Sequence, residues 1–82
     1  MNNIFKNNSY INYSVLALKS SNYKKINDID DKIIGYYVED KYNESAQKEL
    51  NKKVDVEYIG YSSINELKNA LLVKEIDALM IM

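Results

Sequence analysis

Ile33-Ile34-Gly35-Tyr36-Tyr37-Val38 runs without a charge between two polar turns, Asp30-Asp31-Lys32 before it and Glu39-Asp40 after it. A strand with one wet face alternates apolar and polar residues, whereas an unbroken apolar run of this length is the form of a strand covered on both sides. Such strands belong to mostly parallel sheets with helices on either face. The run is therefore assigned to the sheet centre, and the rest of the chain is read outward from it.

Downstream, Asn43 is placed as the cap of a helix in which Tyr42, Ala46 and Leu50 share one face, with Glu44 and Lys48 paired four residues apart on the other. Val54 to Tyr58 alternates Val, Asp, Val, Glu, Tyr, the period of a strand at a sheet edge. Ser63-Ile64-Asn65-Glu66 matches a capping box and opens a second helix, with Ile64, Leu67, Ala70 and Leu71 as its apolar stripe. Ile76-Asp77-Ala78-Leu79-Met80-Ile81-Met82 reads as another buried strand, with Asp77 capping the turn into it.

Upstream, Tyr10 to Lys19 carries a strand signal, and Ile26 and Ile29 pin one short helical turn. Residues 1–9 read as a polar, Asn-rich, flexible lead-in. The order strand, strand, helix, strand, helix, strand predicts an α/β fold: a small three-layer lobe with a mostly parallel four-stranded sheet and two main helices. Ile33-Val38 is placed beside both Val54-Tyr58 and Ala78-Ile81, with Tyr13-Leu18 antiparallel on the remaining edge. Residues 10–82 are taken as that single lobe. Its apolar last strand predicts a sequence that continues beyond Met82, and the start Met1-Asn-Asn-Ile-Phe-Lys lacks the apolar core of a signal peptide. Any export signal or anchor is thus expected outside these residues.

Eighty-two residues leave room for one compact core rather than two lobes with a cleft. The residue types that are missing narrow the chemistry further, for the chain holds no Cys, His, Trp, Pro or Arg. Zinc, iron–sulfur and haem ligand sets and thiol or Ser–His nucleophiles fall away with Cys and His. The planar two-pronged clamp for carboxylate or phosphate falls away with Arg. With 11 basic and 12 acidic groups and a net charge of -1, the chain has no electrostatic footprint for nucleic acid. No enzyme activity, metal or cofactor is expected of it.

Five residues at strand ends and helix starts are the candidate ligand- or partner-binding set: Tyr36, Tyr37, Glu39, Tyr42 and Tyr61. Tyrosine rings there could stack on a sugar or a partner surface, or simply fill half-buried strand positions. In the loop Tyr37-Val38-Glu39-Asp40-Lys41-Tyr42-Asn43, two carboxylates stand where a bound anion would arrive, which argues against an amino-acid-type ligand. Asp28-Ile29-Asp30-Asp31 lacks the glycine and distal Glu of a calcium loop and is read as a polar turn.

The stretch from Lys24 to Gly35, with its short helical turn leading into Lys32-Ile33-Ile34-Gly35, resembles the start of a lobe in type II solute-binding proteins. Tyr61 to Leu71 followed by Glu75-Ile76-Asp77-Ala78-Leu79 resembles a later helix and strand of the same fold. With Ser14-Val15-Leu16-Ala17-Leu18-Lys19 ahead of them, these stretches look most like the accessory lobe before the catalytic domain of LytR-CpsA-Psr proteins, in the cell envelope of Gram-positive bacteria. Members of that family transfer anionic polymers to the cell wall, and many carry the name of transcriptional regulators. Their chemistry relies on Arg, which this chain lacks. The resemblance therefore implies a non-catalytic accessory or sensor lobe, extracytoplasmic and tethered to the membrane by a segment outside these residues. Its partners would be the catalytic domain of its own parent chain, a cell-wall glycan or a small molecule, and weakly a second copy of itself. The alternatives are one lobe of an extracellular solute-binding receptor and a stand-alone interaction module.

Overall fold

The computed structural model describes residues 1–8 and 10–82. Its elements are β1 (Asn2–Asn7), β2 (Tyr13–Ala17), 3-10 turns at Lys19–Ser21 and Ile26–Ile29, β3 (Ile33–Tyr37), α1 (Asn43–Asn51), β4 (Glu57–Tyr61), α2 (Ile64–Leu72) and β5 (Ala78–Ile81). They form one five-stranded sheet in the order β1-β2-β5-β3-β4. The three strands of the β-α-β-α-β run are parallel, with β3 between β4 and β5, and β2 joins β5 antiparallel.

Fold class and neighbour relations match the reading of the sequence, and two features differ. Asn2–Asn7 is an edge strand paired antiparallel with β2, where a flexible lead-in is expected. Its signal is weak because the strand is Asn-rich and covered on one face only: Ile4 is buried, Phe5 leans on Tyr13 with ring centroids 5.9 Å apart, and the register slips between Asn3 and Phe5. The sheet thus has five strands rather than four, and its middle strand is β5 rather than β3. The other difference is β4, which begins at Glu57 rather than Val54. Pairing can start only where β3 does, at Ile33 opposite Glu57, and residues before it serve as a loop clip. In that clip Asp31 N donates to Asp55 O at 2.6 Å and Asp55 N to Asp30 Oδ1 at 2.8 Å.

The sheet separates two cores. On one face Tyr13, Val15, Ala17, Ile34, Ala78 and Met80 pack under Ala46 and Leu50 of α1. On the other, Leu79 and Ile76 pack under Leu67, Ala70 and Leu71 of α2. This is the three-layer arrangement expected, and alternation along β2, β3 and β5 delivers it, since successive side chains go to opposite faces. Gly35 lets the α2 layer close on the sheet, because a Cβ there would lie 2.5 Å from Ile76 Cδ1 and 2.8 Å from Leu67 Cδ1. At the start of the sheet Asp77 ties two strands together: its carboxylate accepts from Ile33 N at 2.9 Å, and its own N–H donates to Ile33 O at 2.9 Å.

Candidate functional site

In open α/β sheets the usable crevice lies beyond the carboxyl ends of the parallel strands, where chain leaves strand for helix with backbone groups still free. Here that edge gathers the loop after β3, the loop from β4 into α2, and the end of β5. Because β2 runs the other way, the residues before it reach the same edge. Ser14 sits opposite Ile81, and Asn7 Nδ2 donates to Ile11 O at 2.6 Å to hold the preceding loop. A groove of about 440 Å³ results, lined by Tyr10, Ile11, Asn12, Tyr42 and Met82. Its rings stand open, with Tyr10 81% and Tyr42 50% exposed.

Tyr42 is in the groove for a local reason. It sits one residue before α1 and contributes no side-chain cap, while Asn43, expected as the cap, is buried at the first helical position. Asn43 Nδ2 donates to Tyr37 O and to Asp40 O, the latter at 2.8 Å, so it braces the loop from beneath. Tyr42 therefore leaves the apolar stripe with Ala46 and Leu50 and turns outward. Asp40 Oδ1 accepts from Tyr42 N at 2.9 Å, and Lys41 Nζ lies 5.2 Å from the centre of the Tyr42 ring.

The other four candidates are not gathered at the groove. Tyr36 packs on the α1 face, edge-on to Tyr58 with ring centroids 6.3 Å apart. Tyr37 and Tyr61 pack on the α2 face, where Tyr61 leans over Gly35 and its hydroxyl donates to Glu75 Oε1 at 2.8 Å. Partial desolvation, reinforced by that hydrogen bond to a carboxylate, pushes the Tyr61 phenol up to about 12. Glu39 is exposed in the turn after β3, three residues from Tyr42. Conversely, Tyr10, Ile11, Asn12 and Met82 join Tyr42 through the antiparallel placement of β2, which the sequence predicts without showing that its leading loop reaches this edge.

The start of α2 shares the carboxyl edge and is capped from within. Ser63 Oγ accepts from Glu66 N at 3.0 Å, while Glu66 Oε2 accepts from Ser62 Oγ at 2.8 Å, so half of the expected capping box forms and Glu66 turns to the other serine. At the opposite edge of the sheet the carboxylates of Asp30, Asp31 and Asp55 lie within 4.8 Å of one another, all exposed. Asp28 does not join them. Its Oδ2 accepts from Lys24 N at 2.8 Å and Lys25 N at 3.2 Å, which holds its carboxyl below the usual range and closes the polar turn read from the sequence.

Comparison with solved structures agrees with this topology. A protein from Streptococcus pneumoniae Canada MDR_19A, described as the second substrate binding domain of an amino acid ABC transporter, superposes with a TM-score of 0.69 over 94% of the chain at 18% identity. The fold is that of a solute-binding-protein lobe. The chain spans 36% of the length of that neighbour. No family model matches the sequence, and no curated protein matches it significantly.

Proposed function

We propose that this chain is one lobe of an extracytoplasmic solute-binding protein, and that the groove between Tyr10-Ile11-Asn12 and Tyr42 is its share of the ligand site. The observation that carries the reading is the position of the groove. It opens at the carboxyl edge of a lobe whose fold is that of a substrate-binding domain, and it is the place where aromatic rings stand uncovered beside hydrogen-bonding groups. The lobe itself performs no chemistry on what it binds.

A metabolite screen by thermal shift tests this on the whole chain. One compound class should give a saturable stabilisation, about 2.7 kcal/mol at a ligand concentration a hundred times Kd. Tyr42→Ala should reduce it as a loss of about tenfold in affinity would, while leaving the unliganded midpoint unchanged, because Tyr42 is half exposed and caps nothing. A flat screen, or stabilisation indifferent to Tyr42, would count against the assignment.

The second reading is the tethered accessory lobe of a LytR-CpsA-Psr protein, whose transferase domain would be its neighbour. It draws on the sequence resemblance and on Leu72 and Val73, exposed at 60% and 62% where α2 ends, an apolar pair of the kind that meets another domain or a second copy. The structural neighbour is a substrate-binding domain, so ligand binding leads.

A further inference from the structure

At each helix start on the carboxyl edge one nearby backbone donor is already taken by an oxygen of the chain itself. Tyr42 N gives its hydrogen bond to Asp40 Oδ1 and Glu66 N gives its own to Ser63 Oγ, with the Glu66 carboxylate held alongside by Ser62. Tyr42 N belongs to the residue ahead of α1, and Glu66 N is one donor of the first turn of α2. An anion arriving at either start would sit beside the Asp40 or the Glu66 carboxylate. The loop that carries Tyr42 adds to the cost, since from Glu39 to Glu44 three carboxylates stand against one ammonium.

The Tyr42 ring is suited to the opposite sign of charge. A tyrosine face attracts cations, and one is already at hand in Lys41 Nζ, 5.2 Å from the ring centre. The remaining wall of the groove, Tyr10-Ile11-Asn12 and Met82, is uncharged in its side chains and supplies a second exposed ring.

Resting on the solute-binding reading above, we infer that the groove selects an organic cation, a ligand with an ammonium group and no anionic head, and that the Lys41 ammonium is the internal competitor for the Tyr42 ring. The ligand's positive end would lie over the ring on the loop that carries the Asp40 carboxylate, with its apolar body along Ile11 and Met82.

Choline, its uncharged carbon isostere dimethylbutanol, and acetate serve as probes, titrated into the isotopically labelled whole chain while the amide signals of Asn12, Tyr42 and Asn43 are followed by NMR. Choline should move these signals saturably, with dimethylbutanol at least about tenfold weaker and acetate silent. Tyr42→Phe should keep choline binding within about twofold and Tyr42→Ala should lose about tenfold, because the ring face rather than the hydroxyl is the contact. Lys41→Met should tighten it about threefold by removing the competing ammonium. The same spectra report whether each variant is folded. Equal binding of dimethylbutanol, or preferential binding of acetate, overturns the ligand class and leaves the solute-binding reading standing. Silence toward all three probes overturns the class as well, and silence toward a broad metabolite set takes the solute-binding reading with it.

Discussion

The sheet is covered by two helices of nine residues each, yet its two faces are held by different chemistry. Under α2 the buried side chains are aliphatic and close: Leu67, Leu71, Ile76 and Leu79 pack together, with Tyr37 and Tyr61 at their margin, and Ile76 and Leu67 leave no room for a methyl group at Gly35. Under α1 the layer is aromatic and partly polar. Tyr13 lies fully buried beside Phe5, Tyr36 meets Tyr58, and Tyr58 reaches out to donate to Asn51 Oδ1 at 2.7 Å. The buried residues of the α2 face are thus specified by shape, whereas those of the α1 face include the hydroxyl of Tyr13. The α1 face is also the one whose helix start bears Tyr42 and the groove, so the layer with spare polar groups is continuous with the candidate site.

Alkaline titration should produce the largest effect. Burial, with the Glu49 carboxylate adding to it, pushes the Tyr13 phenol up to about 12, and burial with the neighbouring Tyr13 does the same to Tyr58. Tyr61 on the α2 face is raised alike. In the unfolded chain these phenols ionise near 10.0, so between that pH and about 12 the unfolded state releases protons that the folded state keeps. Stability is then full below the unfolded value and falls as pH climbs through the folded one. Tyrosinate absorbance and circular dichroism followed together should show three of the eight tyrosines ionising only as the fold is lost. Ionisation of all eight in an intact fold would erase the polar character given to the α1 face.

A glycine pair sharpens the contrast in shape. Gly35→Ala should cost about 1–3 kcal/mol, read as a lowered urea midpoint, since both Ile76 and Leu67 must give way inside a packed layer. Gly60→Ala should cost less than half as much, because the atom it meets at 2.5 Å belongs to Val38, a side chain 45% exposed and free to swing aside. Equal costs would mean that the α2 layer is no tighter than the sheet edge.

The smallest effect has the opposite sign. Among the described residues the Tyr13 hydroxyl is buried without a hydrogen-bond partner, an arrangement that costs stability rather than adding to it. Tyr13→Phe should raise the urea midpoint by an amount worth up to about 1 kcal/mol. A loss instead would reveal a partner for the hydroxyl under α1, and would make that face better satisfied than it looks.

How far the fold is legible in the sequence depends on how strongly each element's own residues insist on it. Ile33-Val38 could be read because a run buried on both faces has no polar half to confuse it, and α2 because Ser63 and the Leu67-Leu71 stripe act locally. Asn2–Asn7 could not, since an edge strand with one covered face has little composition to show, and its paired residues lie six to fifteen positions away. The misplacement of Asn43 has another cause. The residue looks like a cap, but the carbonyls of Tyr37 and Asp40 that recruit its amide are brought there by the turn after β3.

The sequence by itself determined the layer order, the parallel core, the two helices and, through the absence of Arg, His and Cys, the exclusion of thiol, Ser–His and zinc–histidine chemistry. These follow from periodicity and from side-chain chemistry, which are properties of single segments. Tertiary structure alone decided which tyrosines meet solvent at a shared place. Tyr36, Tyr37 and Tyr61 face the two cores, and Tyr42 joins Tyr10, Ile11, Asn12 and Met82. A groove is made by segments that lie apart in the chain, and β2 has to run antiparallel to β5 before its leading loop can arrive beside α1.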